Sequence, residues 1–225
     1  MNRFLTLILF ISLFSCKKAN EKSETPEYDV LLESGLTESQ LQDKILGMLV
    51  GSAIGDAMGA PTEMWSRESI ALEYGFVDRL DSMVREASPE GIWIPNLPAG
   101  GTTDDTRWKV LASDYLLWQK PGSLDSKDFA RQILKTYQSS LDKFKSLESQ
   151  DPEPFEKVML EVNWLSEWAK VSKPFLDDNL PAFADSLSKF YGGEMVCAGL
   201  LYAPAIGAFF PGNPEKAYQE GYKLT

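Results

Sequence analysis

The stretch GGTTDDTRWKVLASDYLL, residues 100–117, decides the fold class. Its apolar side chains recur at helical spacing, at Trp108, Leu111, Ala112, Tyr115 and Leu116. This spacing gives a helix one apolar face. Thr103 is a preferred N-cap residue, and the acidic side chains that follow it favour a helix start. The stretch therefore predicts an amphipathic helix that begins with two adjacent aspartates.

The same periodicity runs through most of the chain. Apolar positions at helical spacing are Leu41, Ile45, Met48 and Leu49, then Phe129, Ile133, Tyr137, Leu141 and Phe144, and then Phe155, Val158, Met159, Val162, Leu165 and Trp168. Thr37 with Gln40 is a capping-box pair, and Asp151 before Pro152 is typical of a helix start. No alternating strand pattern of comparable length competes with these helices. We therefore predict an all-α fold in a single domain over residues 36–225.

The first 35 residues predict export and anchoring. Arg3 precedes an apolar run from Phe4 to Phe14, which is too short to span a bilayer but suits a signal peptide. Residues 13–16, Leu-Phe-Ser-Cys, resemble the lipobox of bacterial lipoproteins, so we expect residues 1–15 to be removed and Cys16 to carry a lipid. The polar segment up to residue 35 is then a tether. An incidental cysteine behind an ordinary signal peptide is the alternative.

This anchor predicts a location in the bacterial cell envelope. We expect the outer membrane, because Lys17 is not the acidic residue that is associated with inner-membrane retention in some bacteria. With Cys16 lipidated, Cys197 has no disulfide partner. Its apolar surroundings predict a buried, inert thiol.

Charge and composition exclude several functions. The formal net charge of −11 disfavours binding to nucleic acid or to anionic lipid headgroups, so we expect no nucleic-acid partner and a membrane link through the lipid alone. The chain has no histidine, which excludes His-based zinc sites and catalytic triads built on histidine. Any acid or base must be a carboxylate, lysine, tyrosine or bound water.

Four glycines recur at every fourth position of the predicted first helix, at Gly47, Gly51, Gly55 and Gly59. Each costs about 1 kcal/mol relative to alanine, so the strip predicts a helix that is buried against another backbone. The same spacing drives association of transmembrane helices, but Asp43, Lys44 and Asp56 leave too short an apolar run to span. Pro61 ends the helix, which leaves Asp56 at its end and Glu63 on the following loop.

The two adjacent aspartates, Asp104 and Asp105, have two interpretations. They can simply favour the helix start, as acidic residues in a first turn do. Capping needs only one of them, however, and neighbouring carboxylates repel each other. Together with the hydroxyl of Thr103 they can supply three oxygen ligands to a hard cation such as magnesium. The carboxylates of Asp56 and Glu63 favour this metal site, and we expect all five residues to share a cleft.

At these residues the chain resembles the ADP-ribosylglycohydrolase family, which includes enzymes that reactivate dinitrogenase reductase. The similarity runs through residues 47–51 into Gly55-Asp56 and Glu63, and through Thr103-Asp104-Asp105-Thr106. A looser match extends from Tyr202-Ala203-Pro204 to residues 210–217. The resemblance implies a compact orthogonal multi-helix bundle that hydrolyses a glycosidic bond to ADP-ribose, or to a related ribosyl ligand, with two magnesium ions.

The resemblance also implies roles for individual residues. Thr103, Asp104 and Asp105 would bind magnesium. Glu63 and Asp56 would be the catalytic carboxylates, with Glu63 on the loop that gates the substrate or assists proton transfer and Asp56 supporting that loop. Gly192 and Gly193 would form the loop that contacts the substrate diphosphate; a simple loop between helices is the alternative. Glu194 departs from this pattern, because a carboxylate there repels phosphate unless it turns away.

A second departure lies towards the C-terminus. Relatives carry a second aspartate cluster of the Gly-Asp-x-Asp-Thr kind, which completes both metal spheres and is not found in this sequence. We therefore expect the chain to be C-terminally incomplete, since it stops at Thr225 within what looks like a continuing helix from Pro214.

Two other functions stay open. One is a membrane-anchored binding module that keeps the fold but lacks a complete metal site. The other is a surface glycan hydrolase that uses exposed tryptophans as sugar platforms, although Trp108, Trp164 and Trp168 have the spacing of core residues.

Overall fold

The structure is a computed structural model that describes residues 34–84, 96–120, 122–147, 152–193 and 196–224. The side chains of residues 152–158 and 160 are not described either. The predicted signal peptide, the predicted lipid anchor at Cys16 and Glu194 therefore lie outside the described residues.

The described part of the chain is built from α-helices, which confirms the predicted fold class. They are α1 (Glu38–Gly59), α2 (Arg67–Glu73), α3 (Asp104–Leu116), α4 (Ser126–Ser146), α5 (Pro152–Leu176), α6 (Leu180–Lys189), α7 (Ala198–Phe209) and α8 (Pro214–Tyr222). Short 3-10 helices follow α1, at Ala60–Thr62, and α6, at Phe190–Gly193. Extended pairing within the described ranges is limited to one isolated antiparallel bridge between Met83 and Leu97.

Local sequence signals explain where these helices begin. The predicted capping box at α1 is present: the Gln40 amide donates to the Thr37 hydroxyl at 3.3 Å, and the Thr37 amide donates to the Gln40 side chain at 3.0 Å. Asp125 caps α4 by accepting from the Asp128 amide at 2.8 Å. Helix α5 begins at Pro152, as predicted, because proline tolerates the first helical position.

The core is assembled around α3. Helices α4 and α5 form an extensive contact, while α3 packs on α7 and α4, and α8 packs on α7. Trp108 lies at the centre and is only 2% exposed. Its ring contacts those of Trp164, Trp168 and Tyr202 at centroid separations of 5.2, 4.8 and 5.7 Å. The prediction that Trp108, Trp164 and Trp168 belong to the core is confirmed.

Polar contacts close the C-terminal part of the bundle. The buried carboxylate of Glu220 on α8 accepts a hydrogen bond from the Leu124 amide at 2.7 Å, across 96 residues of sequence. The hydroxyl of Tyr202 on α7 donates to the Leu224 carbonyl at 3.0 Å. Helix α8 ends at Tyr222, before the last described residue, Leu224, so the helix that the sequence predicts from Pro214 is shorter than expected.

The predicted burial of α1 is wrong in this structure. Only Ala57 is buried among its 22 residues, and Leu46, Val50 and Ile54 are exposed. A Cβ atom added at any of the four glycines of the strip would meet no atom of the described residues within 4 Å. Length and composition alone would let Glu38–Thr62 cross a membrane, which is weak evidence for a span. Hydrogen bonds from Thr103 and Thr106 to the Asp56 carboxylate instead hold the end of α1 against α3.

Cys197 also differs from its prediction. It precedes α7 as the N-cap residue and is exposed rather than buried. The apolar stretch around it packs through Ala198 and Tyr202, which are both buried.

Candidate functional site

The end of α1 meets the start of α3 through the Asp56 carboxylate. Its Oδ1 accepts from the Thr103 hydroxyl at 2.8 Å, and its Oδ2 accepts from the Thr106 hydroxyl at 2.6 Å. The Thr103 amide donates to Oδ2 at 3.0 Å and to Oδ1 at 3.2 Å, and the Thr106 amide donates to Oδ2 at 3.1 Å. Amides at a helix start lack intrahelical acceptors, so Asp56 satisfies two of them from another helix.

Thr103 is the N-cap of α3, as the sequence predicts. Its hydroxyl accepts from the Asp105 amide at 3.2 Å, and the residue is 8% exposed. Asp104 and Asp105 occupy the first turn; Asp104 is exposed and Asp105 is partly buried. The loop before them is tightly fitted, because a Cβ on Gly101 would lie 2.8 Å from the Leu97 Cβ.

Negative charge is concentrated at this turn. Burial raises the pKa of Asp105 above its usual value, and the nearby carboxylates of Asp56 and Asp104 raise it further. Lys109 opposes this effect from one turn along α3, where its ammonium donates to the Asp105 carbonyl at 3.0 Å. A bound cation would relieve the same repulsion between carboxylates.

Arg107 is a charged neighbour that the sequence does not single out. Burial lowers the pKa of its guanidinium, although Asp104, Asp56 and Glu161 each favour the charged form. The guanidinium carbon lies 5.6 Å from the centre of the Trp164 ring. The Nε atom is buried and has no hydrogen-bond partner among the described residues. Its position directly after the Thr-Asp-Asp-Thr motif is the signal that could have found it.

The predicted substrate loop, Gly192-Gly193, is a left-handed turn. Tyr191, Gly192 and Gly193 have φ values of 45°, 71° and 85°. The pKa of Tyr191 is raised, mainly by burial of its phenol. A hydrogen bond with the Trp168 side chain lowers this pKa, and the negative charge of Asp104 raises it.

Glu63 follows the 3-10 helix that ends α1. Pro61 is buried in that short helix, and the Glu63 amide donates to the Ala60 carbonyl at 3.3 Å. The Glu63 side chain is exposed. The structure therefore brings Asp56 against Thr103 at the turn that carries Asp104 and Asp105, and it leaves Glu63 on the loop after α1. The cleft shared by all five residues stays a prediction.

The acidic turn carries three oxygen donors that can be compared with the needs of magnesium. The Thr103 hydroxyl and the carboxylates of Asp104 and Asp105 are the hard oxygen donors that magnesium prefers. Within the described ranges, no group of three or more His, Cys, Asp or Glu side chains is placed to hold a metal ion. The three donors fit magnesium in chemical type. Because magnesium takes six ligands, water or other groups would have to complete the shell.

One open groove lies in another part of the bundle. It has a volume of about 1120 Å³ between α4, α5 and α6, and it contains none of the predicted site residues. Three of its lysines are paired with carboxylates of their own helix or the following loop: Lys170 with Glu167, Lys173 with Asp177 and Lys189 with Asp185. Its surface therefore gives no reason to move the site away from α3.

Comparison with known proteins decides the family. The family model for ADP-ribosylglycohydrolase matches residues 37–225. The chain belongs to the ADP-ribosylglycohydrolase family. The matched region begins at the capping threonine of α1 and contains both acidic motifs, so the members of the candidate site all lie within the family domain.

Two relatives show how far the sequence of this chain has diverged within the ADP-ribosylglycohydrolase family. The chain is 34% identical over 92 residues to the uncharacterized protein YegU of Escherichia coli K12, a match that covers 41% of the chain and 26% of that relative. It is 25% identical over 118 residues to the ADP-ribosyl-[dinitrogen reductase] glycohydrolase of Rhodospirillum rubrum, covering 45% and 37%. The alignments thus span about a quarter and just over a third of these relatives. No solved structure matches with comparable significance.

Proposed function

We propose that this protein is a magnesium-dependent hydrolase of a glycosidic bond to ADP-ribose or a related ribosyl ligand. Membership of the ADP-ribosylglycohydrolase family supports the reaction class. The observation that supports the magnesium site is that Thr103, Asp104 and Asp105 follow one another at the start of α3, which hydrogen bonds from Thr103 and Thr106 hold against the Asp56 carboxylate. Two such ions are expected in the full-length protein.

The proposed chemistry assigns a task to each group. Thr103, Asp104 and Asp105 would hold magnesium, which would supply Lewis-acid chemistry to the substrate and the attacking water. Magnesium does not lower the pKa of water as far as zinc does, so a carboxylate must take the proton from the attacking water. Glu63 suits this task because it is exposed on the loop beside the site. Amides of the Gly192-Gly193 turn would contact the diphosphate.

The test is a hydrolysis assay on the full-length protein. ADP-ribosylated arginine and serine peptides are incubated with and without magnesium, and released ADP-ribose is measured. We expect release that requires magnesium and that Asp104→Ala or Asp105→Ala abolishes. Asp114→Ala is the matched control, because Asp114 is an exposed aspartate near the other end of α3. Equal release with a chelator present would remove the magnesium role.

A binding module without turnover is the second candidate. It is favoured by the incomplete donor set, since no cluster of three metal-capable side chains occurs in the described ranges. Magnesium-independent binding of ADP-ribose with no hydrolysis would support it. The glycan-hydrolase alternative loses three of the chain's six tryptophans as sugar platforms. Trp108 lies in the core, and Trp164 and Trp168 pack against it.

We further propose that lipidated Cys16 holds the protein at the outer membrane of a bacterial envelope. The lipobox-like residues 13–16 support this anchor. Detergent partitioning of wild type and Cys16→Ser tests it. A Cys16→Ser protein that still fractionates with membranes would contradict the anchor.

A further inference from the structure

The bonding of Asp56 leaves its carboxylate no capacity for chemistry. A carboxylate has about four lone-pair sites for hydrogen bonds. Four donor groups of Thr103 and Thr106, two amides and two hydroxyls, occupy the carboxylate of Asp56 at distances from 2.6 to 3.2 Å. A group with every acceptor site filled can neither take a substrate proton nor bind a metal directly without losing one of these bonds.

The same bonds orient the hydroxyl of Thr103. A threonine hydroxyl has one proton and two lone pairs. The proton points to Asp56, since the carboxylate can only accept, and one lone pair receives the Asp105 amide. In the described hydrogen bonds the second lone pair is unused. The negative carboxylate behind the proton also makes the hydroxyl oxygen more electron-rich, which improves it as a ligand for a cation.

We infer that Asp56 is the positioning residue of the proposed magnesium site and acts through Thr103 and Thr106, not as a catalytic acid or base. It holds the Thr103 oxygen lone pair and the first turn of α3 in the arrangement that a hard cation requires. This inference rests on the proposed function, because it assumes that Thr103, Asp104 and Asp105 bind magnesium. It changes the role that the sequence resemblance implies for Asp56.

Metal affinity measures this role without any hydrolysis. Mn²⁺ is titrated into the full-length protein as a stand-in for Mg²⁺, and unbound Mn²⁺ is counted by electron paramagnetic resonance. Groups that orient metal ligands typically contribute 10- to 100-fold to affinity, so we expect Asp56→Asn to weaken Mn²⁺ binding by about 10-fold or more. Urea unfolding of each variant separates this loss from a loss of stability.

Two threonine variants keep the test informative if Asp56→Asn does not fold. Thr106→Val removes a hydroxyl bond to Asp56 without removing a proposed ligand, and we expect it to weaken Mn²⁺ binding several-fold. Thr103→Ser keeps the hydroxyl and should retain wild-type affinity. Thr62→Val is the matched control, because the Thr62 hydroxyl bonds only the Gly59 carbonyl in the described network, at 3.2 Å.

The outcomes separate this inference from the proposed function. Folded Asp56→Asn or Thr106→Val protein with wild-type Mn²⁺ affinity would overturn the positioning role alone. Wild-type protein that binds no Mn²⁺ would overturn the metal site, and the positioning role with it. Weaker binding by both variants, with Thr62→Val unchanged, supports the inference.

Discussion

We predict that Glu220→Gln destabilises the fold by about 2 to 4 kcal/mol at neutral pH. The Glu220 side chain is 4% exposed and pairs with Lys216 at 3.1 Å and Lys223 at 2.7 Å, in addition to its bond from the Leu124 amide. Glutamine keeps an acceptor for that amide but loses both charged contacts. Hydrogen bonds to charged groups contribute about 1.5 to 3 kcal/mol each, and the partly exposed lysines recover some of this from water.

The loss should depend on pH. Burial alone would raise the pKa of Glu220, but bonds from Lys223, the Leu124 amide and Lys216 outweigh it and hold the pKa below its ordinary value of 4.5. A carboxylate with a depressed pKa in the folded state contributes fully above its unfolded-state pKa and loses its contribution as the pH falls through the folded-state pKa. The stability gap between wild type and Glu220→Gln should therefore narrow below pH 4.5.

Urea unfolding followed by tryptophan fluorescence measures this gap at pH 7 and at stepwise lower pH. Glu215→Gln is the matched control, since Glu215 lies on the same helix but is exposed. We expect that control to change stability by less than about 0.5 kcal/mol. Equal stability of the two variants, or a gap that does not change with pH, would refute the buried ion-pair account.

Three other variants test the core and the approach to the site. Trp108→Ala should cost about 3 to 5 kcal/mol in urea unfolding, whereas Trp118→Ala, at an 84% exposed position, should cost little. Gly101→Ala should destabilise by about 1 to 3 kcal/mol because its Cβ would collide with the preceding loop, while Gly47→Ala should be neutral or stabilising by up to about 1 kcal/mol. Tyr115→Phe should cost about 1 to 2 kcal/mol, because its hydroxyl bonds both backbone groups of the α4 cap. Thermal melts in which Trp118→Ala is less stable than Trp108→Ala, or Gly47→Ala is less stable than Gly101→Ala, would contradict the packing described. Tyr115→Phe protein as stable as wild type would contradict the role of the Tyr115 hydroxyl at the α4 cap.

Local signals were enough to predict α1, α4, α5 and the start of α3, but α2, α6 and α7 were not predicted. The Thr37 capping box and the Thr103 cap depend on residues a few positions apart, and both form as the sequence indicates. The role of Asp56 could not be predicted this way. Its partners lie 47 and 50 residues further along the chain, so only the assembled bundle shows that its carboxylate is fully bonded.

The failed predictions concern packing partners. The glycine strip from Gly47 to Gly59 indicates that a close approach is possible, but a periodic pattern does not show which element covers it, and none of the described residues does. Cys197 lies in an apolar stretch and is exposed because it occupies the start of α7 rather than its inward face. Burial depends on neighbours distant in sequence, which composition does not specify.

The central claim is that the turn at Thr103, Asp104 and Asp105 binds a ribosyl ligand through magnesium. Its most direct test is calorimetric titration of ADP-ribose into the full-length protein with magnesium and with a chelator. We predict binding that requires magnesium and that Asp105→Ala abolishes. Binding of equal strength with the chelator, or binding that survives Asp105→Ala unchanged, would contradict the claim.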